Sequence, residues 1–239
     1  MEITSLNNDK VKYWAKLQEK KFRDQEGLFI VEGDHLVNEA IRHGLVKEII
    51  TVNDFDNEIP TYKVTEQIMK KISKQQSISK LCAICYKIPE KQVGNKILCL
   101  DNIQDPGNLG TIIRSAVAFD IDTILLNNES VDLYNDKVIR ACEGMIFNVN
   151  VIRCDLKEKL IELKEENYKI IGTSVKNNNL LKNVEVSDKF AIILGNEGQG
   201  VSKEIDDLCD DYIYIKMNDK CESLNVAVAS SIIMYELSR

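Results

Sequence analysis

Three short stretches place amides, hydroxyls, glycines and one arginine where they could act on a ligand. The first runs from Asp101 to Arg114 and reads Asp101-Asn102-Ile103-Gln104-Asp105-Pro106-Gly107-Asn108-Leu109-Gly110-Thr111-Ile112-Ile113-Arg114. Pro106-Gly107 predicts a turn, and Asn108 is placed to cap the next helix through its side-chain oxygen. Arg114 follows among Ile112, Ile113, Ala116 and Val117. Its planar fork of five donors suits phosphate or ribose oxygens, whereas the plainer alternative is a long side chain reaching from an apolar helix into water. The second stretch, Gly195-Asn196-Glu197-Gly198-Gln199-Gly200, follows the apolar run Phe190–Leu194. Its glycines let backbone approach a ligand closely, but it is neither a dinucleotide fingerprint nor a P-loop. A Glu at 197 suits a cationic or hydroxyl-bearing ligand better than a phosphate. The third stretch, Ile215 to Ala229, carries Ser223 and Asn225 at the expected start of the last helix, where Ala227, Ala229, Ser230 and Ser231 permit close helix packing.

The elements that must position these groups are legible from periodicity. Short apolar runs buried on both faces alternate with amphipathic segments: Ile97–Leu100, a helix over 108–119, Thr123–Leu126, a helix over 136–142, an alternating stretch 146–152, a helix over 157–166, Lys169–Thr173, Phe190–Leu194, Tyr212–Ile215, and a helix over 223–237. That pattern predicts a mostly parallel sheet covered on both faces, which binds ligands at the carboxyl ends of its strands. Ahead of it lies a smaller α/β unit: a helix over 8–22, strand Leu28–Glu32, a helix ended by Gly44, strand Glu48–Val52, a helix with Lys70, Lys71 and Lys74 on its polar face, and strand Leu81–Tyr86. Pro89 and Gly94 interrupt the pattern, so the expected organisation is 1–88, a linker 89–96, and 97–239.

Composition narrows the chemistry. With 239 residues, 44% of them apolar, the chain can bury a core without disulfides. The odd set of seven cysteines reads as reduced thiols, and the lone C-x-x-C, Cys82 and Cys85, has no second pair, so no metal is expected. No apolar run spans a membrane and no secretory segment is visible at the start, which points to the cytoplasm. The net charge is −7, divided unevenly: residues 1–96 carry +2 and residues 97–239 carry −9. Lys10, Lys12, Lys16, Lys20, Lys21 and Arg23 crowd the N-terminal helix. They form either a solvated face above the stripe Val11, Trp14, Ala15 and Leu17, or a phosphate-contacting patch. The two histidines, His35 and His43, lie in the N-terminal unit and are expected on a helix surface, so the usual general base is missing from the C-terminal unit.

Taken together and in order, Asn108–Arg114, Gly195-Asn196-Glu197-Gly198 and Glu222-Ser223-Leu224-Asn225-Val226 resemble the three motifs of the SpoU-type (TrmH-like) RNA 2′-O-ribose methyltransferases of the SPOUT superfamily. Arg140–Phe147 resembles a family segment between them. The resemblance covers residues 97–239. Phe29-Ile30-Val31-Glu32-Gly33 and the preceding basic helix resemble, more loosely, the ribosomal-protein-like RNA-binding domain that often precedes the catalytic one.

This resemblance implies an α/β fold ending in a C-terminal trefoil knot, S-adenosylmethionine (SAM) as methyl donor, an RNA ribose as acceptor with ribosomal RNA favoured over transfer RNA, and a homodimer formed through the C-terminal domain. It implies that Gly195, Ile215, Leu224, Thr173 and Met217 hold SAM, and that Arg114, Asn108, Glu197, Ser223 and Asn225 form the catalytic side. The lysines of the first helix and Arg23 would contact RNA. Arg114 would either take the ribose proton or remain charged as a phosphate clamp, because an arginine is a poor base in water. Where the family usually has Pro and Gly before Ser-Leu-Asn, this chain has Lys216, Asn218 and Asp219, which implies a differently shaped loop. The competing expectation is an RNA-binding protein that keeps the fold without the catalysis.

Overall fold

The computed structural model describes residues 1–73, 79–174, 180–183, 188–196 and 198–238. Lys74, expected on a helix face, and Glu197, expected at the catalytic side, lie outside the described residues. The chain divides into two compact units, Met1–Pro89 with Asp132–Phe147, and Glu90–Val131 with Asn148–Arg239.

In the first unit, strand β1 (Glu2–Ile3) precedes helix α1 (Asp9–Lys16). Asn8 starts α1 by accepting a hydrogen bond from the Lys10 N–H at 2.9 Å. The predicted single helix over 8–22 is two helices, because α1 stops and α2 (Lys20–Glu26) begins after a corner at 17–19. The reason is Arg23. Its guanidinium turns back and donates to the carbonyls of Leu17 and Gln18 at 2.9 and 2.8 Å, which satisfies acceptors at the end of α1 and fixes the corner. Val11, Trp14 and Leu17 are buried, as the apolar stripe requires.

Gly27, at φ +64°, turns the chain into β2 (Leu28–Glu32). Helix α3 (Asp34–Arg42) ends in a Schellman motif, with Gly44 at φ +67° donating to Ile41 and Leu45 donating to Ala40. Then come β3 (Val46–Thr51), β4 (Thr61–Val64), α4 (Glu66–Ile72) and β5 (Leu81–Tyr86). The strands form a mixed sheet in the order β1-β4-β3-β5-β2. Strands β1 and β4 escaped the sequence reading because segments of two and four residues are too short to display alternation. Cys82 and Cys85 lie buried in β5, three residues apart and hence on opposite faces. Burial pushes both thiols up, away from the thiolate a metal requires.

The second unit opens with β6 (Lys96–Leu100), α5 (Pro106–Ala118) and β7 (Thr123–Leu126). The chain next supplies α6 (Asp136–Ala141) to the first unit, then returns as β8 (Asn150–Arg153), α7 (Leu156–Glu165), β9 (Lys169–Thr173), β10 (Phe190–Leu194), α8 (Lys203–Asp206), β11 (Asp211–Ile213) and α9 (Val226–Leu237). By packing alone, residues 132–147 thus group with the first unit. The cause is aromatic and ionic: Phe29 packs on Tyr134 and Phe147 with ring centroids 4.7 and 6.5 Å apart, and Arg23 pairs with Asp132 at 2.5 Å. Residues 145–148 form a 3-10 turn where alternation had suggested extended chain.

All six strands of the second sheet run parallel, in the order β11-β9-β10-β6-β7-β8. Chain 90–93 lies beside the edge strand β8, where the Asn150 amide accepts from the Lys91 N–H at 3.0 Å and donates to the Lys91 carbonyl at 3.1 Å. From β6 the chain moves outward through α5 to β7; from its neighbour β10 it moves the other way through α8 to β11. With right-handed crossovers, these connections put α5 and α8 on opposite faces. A crevice therefore opens between the carboxyl ends of β6 and β10, the topological switch point. Among the described residues, no helix is long and apolar enough to cross a membrane.

Candidate functional site

The carboxyl ends of β6 and β10 are tied together by amides and one carboxylate. Asp101, just past β6, is buried; it receives hydrogen bonds from the Asn127 amide at 3.0 Å and from the Ser202 N–H at 2.8 Å. Asn102 adopts φ +61°, a left-handed conformation that Asn tolerates better than most residues. Its carbonyl accepts from the Asn196 side chain at 2.9 Å, and its N–H donates to Asn127 at 3.0 Å. The first and second stretches thus meet through Asn102 and Asn196. Sequence reasoning gave no role to Asp101, Asn102, Asn127 or Asn196. The available signal was their position at the ends of buried strands.

The turn after β10 is unusually tight. Asn196 and Gly200 bond each other in both directions, at 3.0 and 2.9 Å, while the Asn196 side chain accepts from the N–H groups of Gly198 and Gln199 at 2.9 and 3.2 Å. A Cβ on Gly195 would lie 2.2 Å from the Gly200 carbonyl carbon and 2.3 Å from the Val201 nitrogen, so only glycine fits.

The first and third stretches also meet. Asp105, not Asn108, caps α5: its side chain accepts from the Asn108 N–H at 2.8 Å, and Pro106 takes the first helical position, where a missing N–H costs nothing. That leaves the Asn108 side chain to accept from the Asn225 amide at 2.9 Å. Asn225 in turn caps α9 by accepting from Ala227 at 2.9 Å, so the helix starts at Val226 and Ser223 lies in the loop before it. Two further rungs follow, Ser115 to Ser231 at 2.8 Å and Phe119 to Tyr235 at 5.6 Å between ring centroids. Their spacing makes α5 and α9 run side by side in the same direction. Arg114 sits beside this seam, exposed, and has no hydrogen-bond or ionic partner among the described residues.

Thr173 ends β9, Gly195 follows β10, and Ile215 lies two residues past β11. Because these strands are neighbours, the three residues line one rim of the sheet; the Thr173 hydroxyl donates to the Ile193 carbonyl at 2.9 Å. Ile215, Met217 and Leu224 are half-buried on irregular chain. Backbone groups of the glycine turn and apolar side chains such as these are of the kind that the adenine and methionyl parts of SAM would need. A separate polar cavity of about 290 Å³ lies among residues including Asp101, Asn127, Asp155, Asn196 and Ser202; Asn108, Arg114, Ser223 and Asn225 do not line it. Among the described residues, no group of three or more His, Cys, Asp or Glu is arranged to hold a metal.

In the first unit, the structure revises the basic patch. Arg23 is buried and holds Asp132 and two carbonyls, so it is a structural strut and not an RNA contact. Lys10 pairs with Glu48 at 2.8 Å and lies 4.4 Å from the centre of the Tyr62 ring. Lys12, Lys16, Lys20 and Lys21 remain exposed. His35 and His43 are exposed on and just after α3.

Residues 95–235 match the model of the SpoU rRNA Methylase family, and residues 8–83 match that of an MRM3-like substrate binding domain. The chain is 37% identical to a 23S rRNA (guanosine(2553)-2'-O)-methyltransferase, RlmP, of Bacillus subtilis (strain 168), across 99% of this chain and 98% of that one. Among solved structures, it resembles a putative RNA methyltransferase of the TrmH family from Porphyromonas gingivalis, with TM-score 0.88, 27% identity and coverage of 97% and 98% of the two chains. It also resembles an AdoMet-bound rRNA methyltransferase from Sinorhizobium meliloti, with TM-score 0.87, 26% identity and coverage of 99% and 96%.

Proposed function

The chain belongs to the SpoU rRNA methylase family, and from that premise we propose that it methylates a ribose 2′-oxygen in ribosomal RNA with SAM as donor. The observation that carries this reading is the Asn108–Asn225 hydrogen bond, which joins the first and third motifs beside an exposed, unpartnered Arg114. Ribosomal RNA is favoured because the Bacillus subtilis relative is named for 23S rRNA.

Bound SAM supplies an electrophilic methyl group, so the protein's work is to position, to exclude water and to manage one proton and its charge. Gly195, Thr173, Ile215, Met217 and Leu224 hold the donor. Asn108, Ser223 and Asn225, with Glu197, line the acceptor side. Asn225 fixes Asn108 and the start of α9 at once, so both polar groups are set before the ribose arrives. The Arg114 guanidinium faces water in the single chain, where its planar fork of donors is open to a phosphate. That favours the clamp role, in which Arg114 holds the neighbouring phosphate and stabilises charge developing on the 2′-oxygen. Lys12, Lys16, Lys20 and Lys21 supply sequence-independent phosphate contacts.

The reading includes a homodimer. Val228, Ile232 and Tyr235 are exposed at spacings of four and three residues, an apolar stripe along α9 suited to a second copy. It also includes the C-terminal knot; in support, the chain leaves edge strand β11, pairs Tyr214 with Leu180 and returns to α5. The reading also takes the cytoplasm as the place where this chain meets ribosomal RNA.

The test is tritiated-methyl transfer from SAM to ribosomal RNA from a strain lacking this protein, followed by mapping of the labelled ribose. Arg114→Ala is expected to abolish transfer while SAM still binds. Near-normal turnover in that variant would remove Arg114 from the mechanism, and absence of any labelled ribose with the parent protein would overturn the proposal.

A further inference from the structure

Tyr86 is a large aromatic ring left half in water at the end of a strand, with 50% of its surface exposed. It pairs across the sheet with Leu28, and alternation along β5 puts it on the same face as Cys82 and Ile84. That face is the one covered by α1, since Leu28, Cys82 and Ile84 share a core cluster with Val11 and Trp14. The ring therefore lies on the side of the sheet that carries the N-terminal lysines.

The neighbouring strand is irregular at this level. In β3, Val46 pairs with Cys85 and Glu48 with Ile84, which leaves Lys47 as an extra residue in a bulge. Glu48 points to the α1 face, where it accepts from Lys10 and Trp14, both at 2.8 Å. Counted back from Glu48, an unbroken strand would point Lys47 to the opposite face. A bulge re-aims the side chain, and here the Lys47 ammonium comes to 6.0 Å from the centre of the Tyr86 ring. The arrangement is a flat π-face with a cation beside it, on the lysine-bearing side of the unit. Lys12 and Lys20 also have exposed partners, Asp9 at 3.1 Å and Asp24 at 2.6 Å, surface pairs weak enough to exchange for phosphates.

We propose that Tyr86 is a stacking platform for one unpaired RNA base, with Lys47 on the adjacent phosphate. The occupant is single-stranded RNA: a duplex has no free base to offer, whereas an unstacked base gains a π-surface and its backbone gains a cation. This inference rests on the RNA-methylation reading and deepens it, by requiring an unpaired nucleotide within the substrate.

The test uses the full chain without SAM. The probes are a ten-nucleotide single-stranded RNA carrying one 2-aminopurine and a blunt RNA duplex of equal length. The parent protein is expected to bind the single strand and quench the 2-aminopurine. Tyr86→Ala lowers that affinity roughly 5- to 150-fold and abolishes the quench. Tyr86→Ile, which keeps strand propensity without a ring, behaves the same, while Tyr86→Phe retains both signals. Lys47→Gln keeps the quench and flattens the salt dependence by about 0.7 in log–log slope. Duplex affinity is unchanged in the three Tyr86 variants. The inference is overturned if the Ala and Ile variants quench like the parent, if duplex binding falls in step, or if the parent does not bind the single strand. Because SAM is absent, loss of stacking with methyl transfer intact sinks only this inference. Intact stacking with no methyl transfer sinks only the enzymatic reading.

Discussion

Replacing glycines in the turn after β10 tests the close backbone packing of the segment proposed to hold SAM. In Gly195→Ala, the new methyl would sit 2.2 to 2.3 Å from backbone atoms of Gly200 and Val201, where ordinary contact begins near 3.4 Å. Backbone cannot swing aside as a flexible side chain can. Either the strain remains, at the upper end of overpacking costs, or the turn opens and loses the paired Asn196–Gly200 hydrogen bonds. Each route costs about 3 kcal/mol. At Gly200 a Cβ meets nothing, but φ is +71°, so Gly200→Ala costs about 1–2 kcal/mol from backbone strain alone. Gly198→Ala has a nearest contact at an ordinary 3.6 Å and stays within about 0.5 kcal/mol. The assay pairs urea unfolding with calorimetric titration of SAM. A strained closed turn lowers stability alone, whereas an opened turn lowers it by the lost hydrogen bonds and also weakens SAM, by up to roughly 150-fold if re-forming the turn takes the full 3 kcal/mol. The rank Gly195 over Gly200 over Gly198 is required in the sum of the two effects. If Gly195→Ala matched Gly198→Ala in both measurements, the close approach would be refuted.

Arg23→Ala leaves the half-buried Asp132 without its partner and frees the Leu17 and Gln18 carbonyls; unfolding of the first unit is expected to become easier by about 3 kcal/mol in urea, and a loss under 1 kcal/mol would contradict the strut role. Asp210 is raised by burial but lowered more strongly by the Lys164 ammonium at 2.8 Å and the Ile170 N–H at 2.8 Å, so its folded pKa lies below 3.8. Its stabilising contribution is thus present above pH 3.8 and fades as pH falls through the folded value; the stability gap between parent and Asp210→Asn should be flat from about pH 5 to 8 and narrow in acid, and a gap that widens in acid would reverse the sign. Ile232→Lys puts a charge in the exposed stripe of α9 and is expected to give a monomer by sedimentation with the fold retained; an unchanged dimer would move the interface elsewhere.

Residue order by itself determined the buried strands of the second unit, because runs such as Ile97–Leu100 and Phe190–Leu194 can be buried on both faces only in a covered parallel sheet. It also located the three chemistry-bearing stretches, since glycines and small amides after such strands mark the ligand-binding rim. Tertiary structure decided what the side chains do there. Asn108 looked like a helix cap, yet Asp105 caps α5 and releases Asn108 to meet Asn225, 117 residues away. Arg23 counted as one more surface cation until Asp132, 109 residues on, drew it inside and broke the first helix. Tyr86 and Lys47 carry no local signal at all, because a bulge is a property of two paired strands. Local pattern fixes which face of an element is apolar; which distant polar partner a side chain finds depends on how the sheet brings strand ends together.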